Sequence, residues 1–144
     1  MNRLQLPWTS VRGNLMKKTI IYLSIAILVV VLVFSFLYNG FSGIQSITIQ
    51  QYDEPINDGK ITTDKEKIKT ITRILNRSNR VTGDYEMEYK YYYKIQLKYK
   101  DGQIEVLYVY ENFRKNITLF VSDVRDNYKI NNKQANEILD LLLN

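Results

Sequence analysis

The run Tyr89-Lys90-Tyr91-Tyr92-Tyr93-Lys94 is where this sequence concentrates side chains able to bind something. Tyrosine rings interleaved with ammonium groups can stack on bases or sugar rings while holding nearby anions. The wider segment sets how those groups can be presented. From Tyr85 to Tyr99 every odd position is Tyr, Met, Ile or Leu, while the even positions are Glu86, Glu88, Lys90, Tyr92, Lys94, Gln96 and Lys98. Period two over this length predicts a β-strand with one buried and one wet face. On such a strand Tyr89, Tyr91 and Tyr93 point away from Lys90 and Lys94, so only Tyr92 shares a surface with the lysines. The wet face then has an acidic end, Asp84, Glu86 and Glu88, and a basic end, Lys90, Lys94, Lys98 and Lys100.

The candidate partner-binding residues are therefore Tyr92, Lys90, Lys94, Lys98, Glu86 and Glu88. Two plainer readings stand beside that one: the tyrosines pack in the core or across strands, and the charges form a solvated face. A strand at the sheet edge would offer its charge row for docking, whereas an interior strand would pair the charges across its neighbours. The three carboxylates could hold a hard cation such as calcium. Same-face carboxylates on a strand lie about 6 to 7 Å apart, and no Asp/Asn/Gly loop completes a coordination shell, so no metal is expected.

Catalysis finds little to work with. The chain has no His and no Cys, which removes imidazole acid–base work, thiol nucleophiles, and Cys/His zinc or haem sites. No glycine-rich phosphate loop occurs, and no local spacing suggests a carboxylate pair or a Ser–Lys dyad. We expect no enzyme, no cofactor and no small-molecule substrate.

The elements that must position this segment begin with a membrane anchor. Ile20 to Tyr38 is free of charge, and no charged residue lies between Lys18 and Asp53. Crossing a hydrocarbon core of roughly 30 Å takes about 20 helical residues, and a cleavable signal uses only about 7 to 15 apolar residues. A retained anchor over 19–39, contacting the bilayer through Ile20 to Tyr38, is the expectation, with cleavage near Gly40 and Ser42 as the alternative. Arg3, Arg12, Lys17 and Lys18 precede the apolar run without an acid among them, and Asp53 and Glu54 are the first charges after it. Positive charge stays inside, so residues 1–18 are expected to be cytoplasmic and the C-terminal domain extracellular.

Residues 1–15 look unlike the rest, carrying the only Trp and one of two Pro. Codons permitted for Arg12 to Leu15 include a purine-rich tract a few nucleotides ahead of Met16, like a bacterial ribosome-binding site. We expect Met16 to be the true start, the alternative being a cytoplasmic tail without regular structure. With 17 Ile, 13 Asn and 13 Lys but 2 Ala, the composition favours AT-rich codons and a low-GC Gram-positive source, which places the domain in the cell-wall zone. The absence of cysteine excludes a disulfide framework and a lipid-modified cysteine.

The net charge of +5 mostly reflects topology. Before residue 44 there are four cations and no acids, leaving 16 Lys and Arg against 15 Asp and Glu. A near-neutral domain lacks the field of a phosphate binder, so nucleic acid is not the expected partner.

After a short juxtamembrane hinge at 40–46, one domain over 47–144 is expected, of α+β class. Ile47, Ile49 and Gln51 alternate as a first strand. Thr63 opens a capping box with Glu66, and Ile68, Ile71, Ile74 and Leu75 line one face of a helix to about Arg77. A loop follows, and then the long tyrosine strand. Asp101-Gly102 turns it into a return strand with Ile104, Val106, Tyr108 and Tyr110 on one face, and a further strand runs over Ile117 to Ser122. Asn131 or Asn132 caps a last helix with Ala135, Ile138, Leu139 and Leu142 in a stripe. The order β-α-β-β-β-α implies a small antiparallel sheet with both helices on one face.

Read together, the strings "MKKTIIYLSIAILVV", "ITTDKEKIKTITRIL", "YYYKIQLKYKDGQIEVLYVYE" and "NNKQANEILDLL" resemble the small membrane-tethered extracytoplasmic proteins of Bacillus-like bacteria, of the YhfM-like kind. The resemblance spans most of residues 16–144 and rests on patterning. It implies localisation and a small extracytoplasmic α+β domain, and it carries over no site residue. The sequence reading is thus a single-pass envelope protein whose outer domain binds another protein. The alternative is a wall polymer or nucleic acid bound through the Tyr/Lys-rich strand.

Overall fold

The computed structural model describes residues 8–55, 58–85, 87 and 90–144, and these fall into two compact units, 1–37 and 38–144. Among the described residues the first contains one helix, α1 (Trp8–Leu37). Its stretch Val11–Ser35 is long and apolar enough to cross a membrane. The few polar side chains along it satisfy themselves within the helix: the Thr19, Ser24 and Ser35 hydroxyls donate to the carbonyls of Leu15, Ile20 and Val31, each at 2.9 Å. That back-bonding lets a hydroxyl enter an apolar surface without an orphaned donor. Residues 8–15, which the alternative to a Met16 start would leave without regular structure, belong to this helix.

The second unit is α+β. Its strands are β1 (Ile44–Gln51), β2 (Lys60–Thr62), β3 (Asn79–Val81), β4 (Tyr93–Tyr99), β5 (Ile104–Arg114), β6 (Ile117–Ser122) and β7 (Asn127–Asn131). They form one antiparallel sheet in the order β2-β1-β4-β5-β6-β7-β3. Helices α2 (Lys65–Arg77) and α3 (Asn132–Leu143) pack on each other and on β1, over one face. Their buried stripes are the ones the sequence spacing predicts, Ile68, Ile71, Ile74 and Leu75 with Ala135, Ile138, Leu139 and Leu142. They meet Ile47, Ile49, Ile95, Leu97, Leu107, Val109, Phe120, Tyr128 and Ile130 in a single core.

The caps fall close to expectation. Asn131 Oδ1 accepts from Gln134 N at 2.8 Å. For α2 the capping residue is Asp64 rather than Thr63, its Oδ1 accepting from Glu66 N and Lys67 N, so the helix begins one residue later. The Asp-Gly hairpin forms as read, with Gly102 at φ +88° and Gly102 N donating to Tyr99 O.

Several expectations are corrected. Three short strands, β2, β3 and β7, were not foreseen, because 3 to 5 residues give too few alternations to stand out. The tyrosine strand does not start at Tyr85: the ladder begins at Tyr93. The topology explains why. β3 closes one edge of the sheet, and β4 lies beyond β7, β6 and β5; between them Tyr85, Met87 and Tyr91 lie against β5 and β6 on the face that the helices leave open. Asn127 Nδ2 donates to Gly83 O at 2.7 Å. Tyr85 meets Phe113 edge-on at 5.3 Å, and Tyr91 meets Tyr108 and Tyr110 at 4.9 and 6.3 Å. An extended crossover with alternate rings turned down onto a sheet has the same period as a strand, but no ladder.

That crossover also resolves β5. Ile104, Val106, Tyr108 and Tyr110 share a face as expected, yet it is the face away from the helices; Leu107 and Val109 enter the core. Both phases of the strand are apolar because both faces of the sheet are covered. Leu119, paired with Tyr110, is fully buried although it lies outside the main core.

The segment expected as a hinge carries a buried anchor. Phe41 is fully buried, edge-on to Tyr128 at 5.1 Å, and β1 already begins at Ile44. Asn76, at the end of α2, donates from Nδ2 to Phe41 O at 2.7 Å and accepts from Phe41 N at 2.8 Å. Asn39, expected inside the membrane span, instead donates from Nδ2 to the carbonyls of Leu75 and Ser78, satisfying the C-terminus of α2.

Candidate functional site

At the end of the sheet where Gln51 pairs with Tyr93, the crossover joins β4 and the chain leaves β1. Tyr52 N donates to Tyr92 O at 3.0 Å and Tyr92 N to Val109 O at 2.9 Å. These bonds hold residues 90–93 against the turn after β1 and open a cleft of about 390 Å³ lined by Gln51, Tyr52, Asp53, Lys90, Tyr91, Tyr92 and Tyr93. Tyr52 and Tyr91 stand edge-to-face at 5.0 Å and 72°, the geometry their ring quadrupoles favour. Lys90 Nζ lies 4.9 Å from the centre of the Tyr52 ring. Tyr52 and Tyr92 remain 45% and 55% exposed.

The electrostatics of the cleft lean negative around one cation. Asp53 lines it, Glu54 Oε2 accepts from Gln51 N at 2.9 Å, and Glu111 lies half-buried nearby. Burial, then Glu111, then Glu54 push the Tyr93 hydroxyl above its ordinary pKa. Burial also raises Glu111, and desolvation followed by Tyr91 and Tyr108 raises Tyr110.

The structure thus brings together two of the predicted residues, Lys90 and Tyr92, and adds Tyr52, Asp53 and Tyr91 to them. The strand-based separation of rings from lysines fails at Lys90, because residues 90 and 91 precede the ladder and obey no pleat. Lys94 and Lys98 lie further along β4, on the helix-free face. β4 is interior, and its charges are not paired across strands as an interior position led us to expect. Lys94 faces Gln50 and Tyr108, and Lys98 faces Ser46 and Ile104. Glu86 and Glu88 lie outside the described residues. Asp84, the described member of the expected acidic end, sits beside Tyr85, outside β4. Among the described residues no group of three or more carboxylates converges to hold a metal.

At the other end of β4 lies a second cluster that sequence reasoning missed. Glu105, 1% exposed, accepts from Tyr99 Oη at 2.6 Å and Ser122 Oγ at 2.6 Å, and pairs with Arg125 Nε at 3.3 Å. Arg125 also donates to Asn39 O at 3.1 Å and lies 4.8 Å over the Phe41 ring. Ser122 Oγ in turn accepts from Val124 N and Arg125 N. Burial and the Glu105 bond push the Tyr99 hydroxyl well above its ordinary pKa. The signal in the sequence was the phase of β5: Glu105 is in step with Leu107 and Val109. No protein-family model matches the chain, and no curated protein or solved structure is found to be similar to it.

Proposed function

We propose that this chain is a single-pass, membrane-anchored binding module of a Gram-positive envelope, N-terminus inside, whose outer domain recognises a partner protein and performs no chemistry. The observation that carries the reading is the open cleft: Tyr52 and Tyr92 keep about half of their surface exposed at its mouth. Tyrosine is enriched in the centres of protein interfaces, where a rigid ring gives much contact for little lost freedom. The orientation rests on Arg3, Arg12, Lys17 and Lys18 ahead of the apolar helix. The likeness to YhfM-like tethered proteins belongs to the same proposal.

A second reading, a wall polymer or nucleic acid bound through Tyr92, Lys90, Lys94 and Lys98, draws on one observation. Lys94 and Lys98 have only uncharged cross-strand neighbours, which leaves their charge available to an anion.

The test is crosslinking capture from intact cells with a C-terminal tag, after protease accessibility in protoplasts has been checked. The protein reading expects a shaved tag and one envelope protein that co-purifies at high salt and is lost with Tyr92→Ala. Capture that collapses with added salt favours the polyanion. A protected tag overturns the topology.

A further inference from the structure

The cleft holds one positive charge, and where that charge sits is informative. Lys90 Nζ rests over the face of Tyr52, while Tyr91 closes the corner edge-on and Tyr92 leaves a third ring exposed. Among the described residues Asp53 is the carboxylate that lines the cleft, while Glu54 and Glu111 stand behind its wall, close enough to bear on Tyr93. Glu111 forms no ion pair among the described residues. Rings with an acidic rim are the chemistry that recognises organic cations.

Deepening the protein-binding reading, on which it rests, we propose that this cleft takes the guanidinium of an arginine side chain on the partner, and that Lys90 occupies its place in the unbound protein. Arginine fits better than the resident lysine. Its planar fork can lie on the Tyr52 ring and present two N–H groups to the Asp53 carboxylate, which a point-like ammonium cannot do. An exposed cation–π contact is weak, so Lys90 is readily displaced. Lys90 is then a competitor, not a contact, and its removal should strengthen binding. A site built for an anion demands the opposite sign.

The experiment uses the full chain in detergent micelles with ring-labelled tyrosine, titrated by NMR with acetyl-Gly-Arg-Gly-amide, the same peptide with citrulline, choline, and inorganic polyphosphate. The arginine peptide should shift the Tyr52 and Tyr91 signals while citrulline leaves them in place. Lys90→Met should bind the arginine peptide roughly two- to fivefold tighter, the change expected when one exposed cation–π competitor is lost. Asp53→Asn should bind it more weakly, with an unchanged melting temperature showing that the fold survives.

Equal shifts from citrulline, binding of choline or polyphosphate without arginine, or weaker binding by Lys90→Met would each overturn the proposal. Peptide binding and partner capture are read separately. If Tyr92→Ala abolishes capture while the arginine peptide moves no ring, this inference falls and the binding-module reading stands; if no protein is captured at all, both fall.

Discussion

The two ends of β4 use the same ingredients to opposite effect. At the Tyr99 end, Arg125 lies over the Phe41 ring and every oxygen of Glu105 is engaged. At the Tyr93 end, Lys90 lies over Tyr52, but Tyr92 and Asp53 face solvent. A buried carboxylate is tolerated only when fully partnered, so the first cluster has no capacity left for a ligand. The second has kept its capacity because water still reaches it. Charge and aromatic content do not by themselves mark a binding site; the fraction of hydrogen-bonding and ring surface left uncommitted does.

Glu105→Ala should break the closed end most severely. It strands Arg125, Tyr99 and Ser122, and by analogy with severed buried pairs it should cost about 3–5 kcal/mol in denaturant unfolding. Asn76→Ala should cost about 1–3 kcal/mol by leaving the buried Phe41 N–H and C=O unpaired; a loss below the error of that measurement would mean the Phe41 segment is not anchored. Tyr92→Ala at the open end should shift stability by no more than about 0.5 kcal/mol while removing partner capture.

The smallest contrast is in alkali. The Tyr99 hydroxyl is raised in the folded state, so its contribution to stability is complete below pH 10 and is lost as pH rises above the ordinary value, where only the unfolded chain ionises. Tyr99→Phe should flatten that alkaline decline, read as denaturant stability against pH from 9 upward.

The helices were legible because four apolar side chains at helical spacing admit one interpretation, and the Asp-Gly turn because its chemistry is local. The tyrosine segment was legible only in part. Alternation reports an extended chain with one covered side, and Tyr85, Met87 and Tyr91 satisfy it by lying on the sheet instead of within it. The cleft was half visible. Lys90 and Tyr92 stood out in a run of six, but Tyr52 and Asp53 come from a turn some forty residues earlier, and only the pairing of Gln51 with Tyr93 brings them together. Glu105 was hidden by a rule that is usually sound, that a charged side chain in an alternating strand faces water.

Helix α2 leaves the sheet at β2, one edge, and the chain re-enters at β3, the opposite edge. During synthesis, β1, β2, α2 and β3 therefore emerge before any of the four strands that separate β1 from β3 exists. The hairpins of β4 to β7 are sequence-local and can close as they appear, whereas β1 and β3 must wait for β4 and β7 respectively. The first half of the domain is made without its partners, and its exposed strand edges depend on the speed with which the second half arrives.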